Sequence, residues 1–269
     1  MERGPDVNTS NAAERVQNNT VFEKAARTGH FVSGLLHILI GYIAIRLAFG
    51  QGGNADQSGA LAELADKPGG SIALWIAVVA FVALALWRIV EAIVGKKSDA
   101  DEGSALDRLK AASLAVVYIA FAWSTFGFAR GTGKSSGEQN ASMTARLMEN
   151  GFGKFVLIVV GLVIIGVGGY HVYKGISKNF LDDLEGHTGK AVERLGIAGY
   201  AAKGIALIGA GALVIVAVFT SDPSKATGVD GAVKTLGSQP FGQVLLVLAG
   251  IGIALYGVYA FVLARYARM

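Results

Sequence analysis

A two-segment unit occurs three times along this chain, and each copy joins two apolar, helix-length segments through a loop that ends in a short helical turn. The loop ends run from Leu64 to Gly70, from Leu147 to Gly153 and from Leu236 to Gly242, with Leu and Gly six apart in every copy. Seventeen residues beyond each of these glycines stands an aromatic, namely Trp87, Tyr170 and Tyr259. Copies of one supersecondary unit bury their apolar faces on one another, so the repeat constrains the fold before any single residue does.

The segments are apolar enough to cross a membrane. Twenty residues without a charge lie between Lys67 and Arg88, nineteen run from Ala111 to Ala129, and twenty-four from Phe241 to Ala264. A bilayer core of roughly 30 Å takes about 20 apolar residues of helix. Only 16% of the 269 residues are charged, against about 25% in an ordinary soluble domain. The pattern predicts six spans, near 28–49, 71–94, 109–129, 153–175, 196–219 and 241–265. The expected fold is all-α: six transmembrane helices as three parallel two-helix repeats in a pseudo-threefold bundle. The divisions are a polar N-tail over 1–26 and repeats over 27–95, 108–176 and 194–266. Two spans per unit give every unit the same orientation, unlike inverted repeats.

Charge fixes the expected topology. Sixteen of the 24 Lys and Arg fall in the N-tail, the C-tail and the loops after the second and fourth spans, with their adjoining helix ends. The positive-inside bias then predicts a multi-pass protein of the bacterial plasma (inner) membrane with both termini cytoplasmic. The net charge of +4 is read as this topology signal, so the partner expected is the lipid bilayer, with room for a membrane-protein partner or a second copy, and not nucleic acid. The N-tail has no apolar core and does not read as a signal peptide. With no cysteine, disulfides, thiolate metal sites and covalent c-type haem attachment are excluded.

The first helices of the units also align: Gly29, Gly34 and Gly41 fall on Gly199, Gly204 and Gly211, where the second unit has Lys110, Ala115 and Ala122. Positions seven apart share a helix face, and small residues there let membrane helices approach closely. Gly250 and Ala254 repeat the spacing in the sixth span. The loop runs (Ala60, Leu61 and Leu64; Ala145 and Met148; Val233 and Leu236) read as short amphipathic helices lying at the outer surface, apolar face down. Pro68 and Pro240 end two of them and start the next span.

On these residues the chain resembles a bacterial membrane family catalogued as domain of unknown function 1206, a two-helix unit occurring three times per chain. The likeness is carried by Gly29, Gly34, Gly41, the Ala60, Leu61, Leu64, Pro68 and Gly70 run, and its counterpart Leu236, Pro240, Phe241 and Gly242. It covers roughly residues 25 to 265, and the second unit departs from it with Gly151 where the others have Pro. The resemblance implies fold and membrane location and carries no activity.

Chemistry is sought where the copies differ. Ionisable groups within a membrane are costly and mark function by default. His30 and His37 share the Gly34 and Gly41 stripe; the second unit has Ala111 and Tyr118 there, and the third Tyr200 and Leu207. His37 reads first as a neutral imidazole bonded to a backbone carbonyl or a tyrosine, then as a ligand or proton-relay residue, and last as a haem ligand. His171 is the other candidate for a bis-imidazole pair, but it sits at the wrong depth. At the ends of the second and fourth spans Trp87, Arg88 and Glu91 align with Tyr170, His171 and Lys174. Arg88 and Glu91 are spaced to pair on one helix face, the aromatics read as an interfacial belt, and Lys203 reads as a snorkelling cation. Asp182, Asp183, Glu185 and His187 cluster in the loop after the fourth span, but they read as a charged loop rather than a metal site. No phosphate loop, metalloprotease signature or nucleophile elbow occurs.

The leading expectation is therefore a non-enzymatic integral membrane protein without cofactor or metal, which binds a partner protein or lipid or acts as an envelope scaffold. The alternative is a small-solute or ion transporter or channel along the pseudo-threefold axis. A weaker alternative is a haem-binding electron carrier. The ligand or pathway candidates are His30, His37, Arg88, Glu91, Tyr118, His171 and Lys174.

Overall fold

The computed structural model describes residues 20–94, 105–186 and 189–268. The first nineteen residues, the Lys96–Glu102 loop and His187 lie outside them. The described chain is all helical. In order come α1 (Thr20–Ala48), α2 (Gln57–Ala65), α3 (Gly70–Val94), α4 (Ala105–Ala129), α5 (Ser136–Met148), α6 (Gly151–Ile176), α7 (Lys190–Thr220), α8 (Val229–Gly237) and α9 (Gly242–Tyr266). Six of these, α1, α3, α4, α6, α7 and α9, are long and apolar enough to cross a membrane. Each repeat is two long helices with a short one between them, so both described chain ends fall on one side of the bundle, here called the terminal side, and α2, α5 and α8 fall on the other.

The spacing of Leu and Gly in each unit has a steric cause. A Cβ at Gly70 or Gly153 would overlap the carbonyl of Leu64 or Leu147, and at Gly242 that of Gly237. The chain leaves the short helix, turns back against its last carbonyls and enters the next span, and only glycine fits that approach. Side chains cap three of the starts: Asp56 for α2, Ser135 for α5 and Asn150 for α6, each accepting from a backbone N–H three residues on.

The closest helix pairs join different repeats. They are α3 with α4, α6 with α7, and α9 with α1, the last pair linking the two ends of the chain. In α9 and α1, an added Cβ at Gly257 would lie 2.6 Å from the Gly34 carbonyl oxygen, and at Gly250 2.6 Å from that of Gly41. In α6 and α7, Gly168 faces Gly204 at 2.7 Å and Gly161 faces Gly211 at 2.9 Å in the same way. The α3–α4 seam uses Ala85, Ala115 and Ala122, all buried. The small-residue stripe is thus a seam, as the spacing implies, and it binds the second long helix of one repeat to the first of the next.

Contacts within a repeat are looser, and one is missing. Gly29 packs α1 on Ala80 and Leu84 of α3, and Gly199 packs α7 on Tyr256 of α9. The second repeat has Lys110 at that position, where a long side chain cannot enter such a contact. Lys110 is exposed and pairs with Asp107 at 3.0 Å. Helices α4 and α6 do not pack along their length. The threefold pairing of seams is kept, while the ring of six helices is open between α4 and α6.

The short helices interlock as a cap. Asp230 of α8 accepts from the Ala55 N–H at 2.7 Å, and Ser58 of α2 accepts from the Ser136 N–H of α5 at 3.0 Å. Asp56, Ser58 and Asp230 are all buried. These helices therefore face one another and the bundle, which adds polar, buried contacts to the amphipathic character read from the sequence. Beneath the cap the bundle is apolar, filled by Leu36, Ile40, Leu74, Phe81, Leu246 and Ile253.

Candidate ligand site in the terminal half of the bundle

Toward the terminal side the interior turns polar. His30 reaches it from α1 and is 5% exposed. Arg88 reaches it from α3, where its Nη1 donates to Glu91 Oε2 at 2.5 Å, the pairing that their spacing predicts. One nitrogen of each cation-bearing or imidazole group is left over: His30 Nε2 and Arg88 Nε are buried without a hydrogen-bond partner among the described residues. Arg27, Arg88 and Lys203 all lie within electrostatic reach of His30. Tyr118 comes from α4, its ring 6.4 Å from Phe81, within reach of Arg88 and Glu91.

A second group is centred on Tyr256 of α9. Lys203 of α7 donates to its hydroxyl at 2.9 Å and sits over its ring, 4.1 Å from the centroid. The His37 ring lies 4.8 Å from the same ring. His37 Nδ1–H donates to the Ser33 carbonyl at 2.7 Å, which leaves Nε2 with a lone pair. This is the backbone-bonded, tyrosine-packed state read from the sequence. Lys203 does not snorkel; a hydroxyl and an aromatic face inside the bundle hold its ammonium better than lipid would.

The third group borders the opening. His171 Nδ1–H donates to the Val167 carbonyl at 2.8 Å, and its ring lies 5.8 Å from Tyr200. Lys174 is paired with Asp183 at 2.5 Å. Asp183 belongs to a short 3₁₀ segment (Asn179–Asp183) tied to the end of α9, where Arg268 N donates to its carbonyl at 2.8 Å. Phe180 of that segment is buried between Tyr200 and Tyr259, and Tyr259 donates to its carbonyl at 3.2 Å.

Five of the seven candidates lie in the terminal half, His37 and Tyr118 stand at mid-span of α1 and α4, and the seven do not form one contact set. His30, Arg88, Glu91 and Tyr118 form one group. His37 belongs to the Tyr256 group, and His171 and Lys174 lie across the interior on α6. His37 and His171 are separated by the rings of Tyr256 and Tyr200, which stand 5.4 Å apart. They do not face each other as a bis-imidazole haem pair must. The aromatic belt is corrected in part: Tyr170 is exposed, but Trp87 and Tyr259 are buried at 3% and 0% exposure. Among the described residues no three His, Asp or Glu side chains converge as a metal set.

The sequence reading missed Tyr256 and underrated Lys203. The signal for Tyr256 was available, because it stands where the other repeats have Leu84 and Val167 and is a departure from the repeat like the histidines. Lys203 breaks an otherwise uncharged stretch of α7 well inside the helix.

The opening between α4 and α6 meets this polar half. Leu114 and Val117 on one side and Val163, Val167 and Tyr170 on the other are exposed. Lys110 lies within electrostatic reach of Tyr170 and Asp183 at the terminal mouth, and Tyr118 within reach of Tyr256.

The comparisons with known proteins agree with the repeat. The chain is 28% identical over 255 residues to the "Uncharacterized protein YxxB" of Bacillus subtilis (strain 168), a match covering 92% of each chain. No solved structure matches it. Three stretches, 28–95, 109–178 and 198–267, match one family description in succession, as three copies of the unit must. The chain belongs to the family described as Domain of Unknown Function (DUF1206).

Proposed function

We propose that this protein is a non-enzymatic binding protein of the bacterial plasma membrane that holds an amphipathic membrane molecule in its open terminal half. The observation that carries this reading is the lack of packing between α4 and α6, helices that expose Leu114, Val117, Val163 and Val167, in a bundle that holds the polar Lys203–Tyr256 pair inside. A complete ring would seal that interior from the bilayer; a ring missing one contact admits a molecule sideways, its chains against Leu114, Val117, Val163 and Val167. The basic residues gathered toward the chain ends support cytoplasmic termini, which puts the polar half in the inner leaflet and the cap outside.

A pathway along the pseudo-threefold axis is the second reading, favoured by the imidazoles of His37 and His171 near Lys203. It requires the apolar half and the cap to part, which the buried bonds of Asp230 and Ser58 oppose. The test is native mass spectrometry of protein extracted from membranes in mild detergent, followed by lipid analysis. One retained amphipath per chain is the expected result. A bare protein in every detergent tried would overturn the binding reading.

A further inference from the structure

We infer that segment 178–185, between α6 and α7, is a detachable plug over the terminal face of the bundle, which shuts the aqueous route to the Lys203–Tyr256 pair and is held in place by the end of α9. Such a plug acts at the terminal face, independently of any amphipath that enters between α4 and α6. Helix α6 stops at Ile176, and Lys178 takes the left-handed conformation (φ 62°) that turns the chain back across the bundle. Phe180 is then buried at 0% exposure, stacked on Tyr200 at 5.5 Å and edge-on to Tyr259 at 5.3 Å. Its seat is a glycine: a Cβ at Gly196 of α7 would lie 2.2 Å from the Phe180 ring. In the alignment of the copies that position is Ala26 in the first repeat and Asp107 in the second. The loop that joins the first two repeats, 95–104, has no apolar residue larger than alanine. Seat and plug are thus a matched addition to the repeat and no part of it.

Beneath the plug the aromatic stack continues inward. Tyr200 packs edge-on to Tyr256 at 5.4 Å, and the Tyr256 hydroxyl accepts from Lys203 at 2.9 Å. Phe180 and Leu184 belong to a terminal cluster with these tyrosines, separate from the apolar core beneath the cap. The backbone ties run to the end of α9: Glu185 N donates to the Tyr266 carbonyl at 2.7 Å, and Arg268 N to that of Asp183 at 2.8 Å. The Tyr259 hydroxyl donates to the Phe180 carbonyl at 3.2 Å. Two ion pairs at the surface, Lys174 with Asp183 and Lys178 with Glu193 at 2.6 Å, hold the flanks. None of these bonds belongs to the glycine seams that join α6 to α7 and α9 to α1. The segment can therefore leave its seat while the six helices stay packed, as elements with few buried contacts open below the global unfolding free energy. Once Phe180 leaves, Tyr200 and Tyr259 stand open to water, with the Tyr256 hydroxyl and the Lys203 ammonium behind them. The backbone bridge makes the last residues of α9 the latch.

Leu184 and Ala267 face each other as a non-hydrogen-bonded antiparallel pair, about 4.5 Å apart at Cα, a spacing that a disulfide accepts. Leu184→Cys with Ala267→Cys, in a chain otherwise free of cysteine, makes the plug lockable by oxidation and releasable by reduction. The full chain in lipid nanodiscs is treated with a sulfonated acetylating reagent that does not cross a bilayer, and peptide mass spectrometry reads each lysine. Lys203 should be modified in the reduced protein and spared in the oxidised one, while Lys67, exposed on the cap side, reacts alike in both. Asp183→Asn, made alone, should speed the modification of Lys203 about tenfold, the ratio that one charge-assisted hydrogen bond supports, without lowering the thermal unfolding midpoint. Hydrogen exchange of the wild type supplies an arm that needs no variant. The Glu185 and Arg268 amides should exchange together and well ahead of those at Gly168 and Gly204 in the α6–α7 seam. Lys203 modified at one rate in the oxidised and reduced protein overturns the plug. Exchange of the bridge amides at the rate of the seam also overturns it, because the segment would then open only with the whole bundle.

Discussion

A methyl group at Gly41 would run into the Gly250 carbonyl, and the neighbouring Ala254 stands 2.9 Å from the same point. Lipid tails are as apolar as leucine, so helices in a membrane associate through close packing rather than by escaping water, and such contacts carry the assembly. Gly41→Leu should therefore lower stability by about 1–3 kcal/mol, the ordinary cost of forcing extra atoms into a packed site. Gly166 in α6 meets no atom within 4 Å, and Gly166→Leu should leave the thermal unfolding curve in detergent where it was. Equal losses at the two positions would show that the cost does not come from the seam, since helix propensity alone favours leucine over glycine at both. The seven-residue spacing made this face legible in the sequence. It did not say which helix the face meets, because periodicity fixes a direction on one helix and is silent about the partner. The same limit misplaced Trp87 and Tyr259, since an aromatic near a helix end suits a membrane boundary and a buried stack equally well.

Among the elements, the short helices gained most from the structure. Their amphipathic runs were visible, but the bonds that join them lie between residues 78 and 175 positions apart, beyond any local pattern. Asp230→Ala removes the acceptor for the Ala55 N–H and the partner of Lys234, which sits 2.7 Å away, and should cost about 1–3 kcal/mol because a buried donor is left unmet. Asp222 caps an exposed 3₁₀ turn (Pro223–Lys225) through Ser224. Asp222→Ala should stay within about 0.5 kcal/mol of wild type, as surface changes do. Proteolysis of the segment between α1 and α2, which carries Ala55, should speed up in Asp230→Ala alone; an unchanged rate would mean that the cap does not depend on this bond.

For the whole molecule, the open ring follows from one departure already plain in the alignment of the copies, Lys110 in place of Gly29 and Gly199. Lys110→Gly should let α4 approach α6. Spin labels at Leu114 and Val163, introduced as cysteines in a chain that has none of its own, should then report a shorter distance; an unchanged one would show that the gap has another cause. The six spans and their threefold origin were readable because length, charge gaps and internal identity are properties of the chain itself. The gap was not, because it is the absence of a contact, and apolar residues look the same whether they face lipid, a neighbour or an opening. The pairing of α9 with α1 has a further consequence, one of time. During synthesis α1 enters the membrane first, and its glycine face has no partner until α9 emerges. At about 5–20 residues per second the stretch from Ala48 to Gly242 takes on the order of ten seconds or more to make. Over that interval the stripe through Gly34 and Gly41 is a bare docking strip in a crowded bilayer, open to α9 of a finished neighbour. The last helix made closes the first, so a chain that stops short of α9 lacks more than its tail: it keeps the beginning of the protein unassembled.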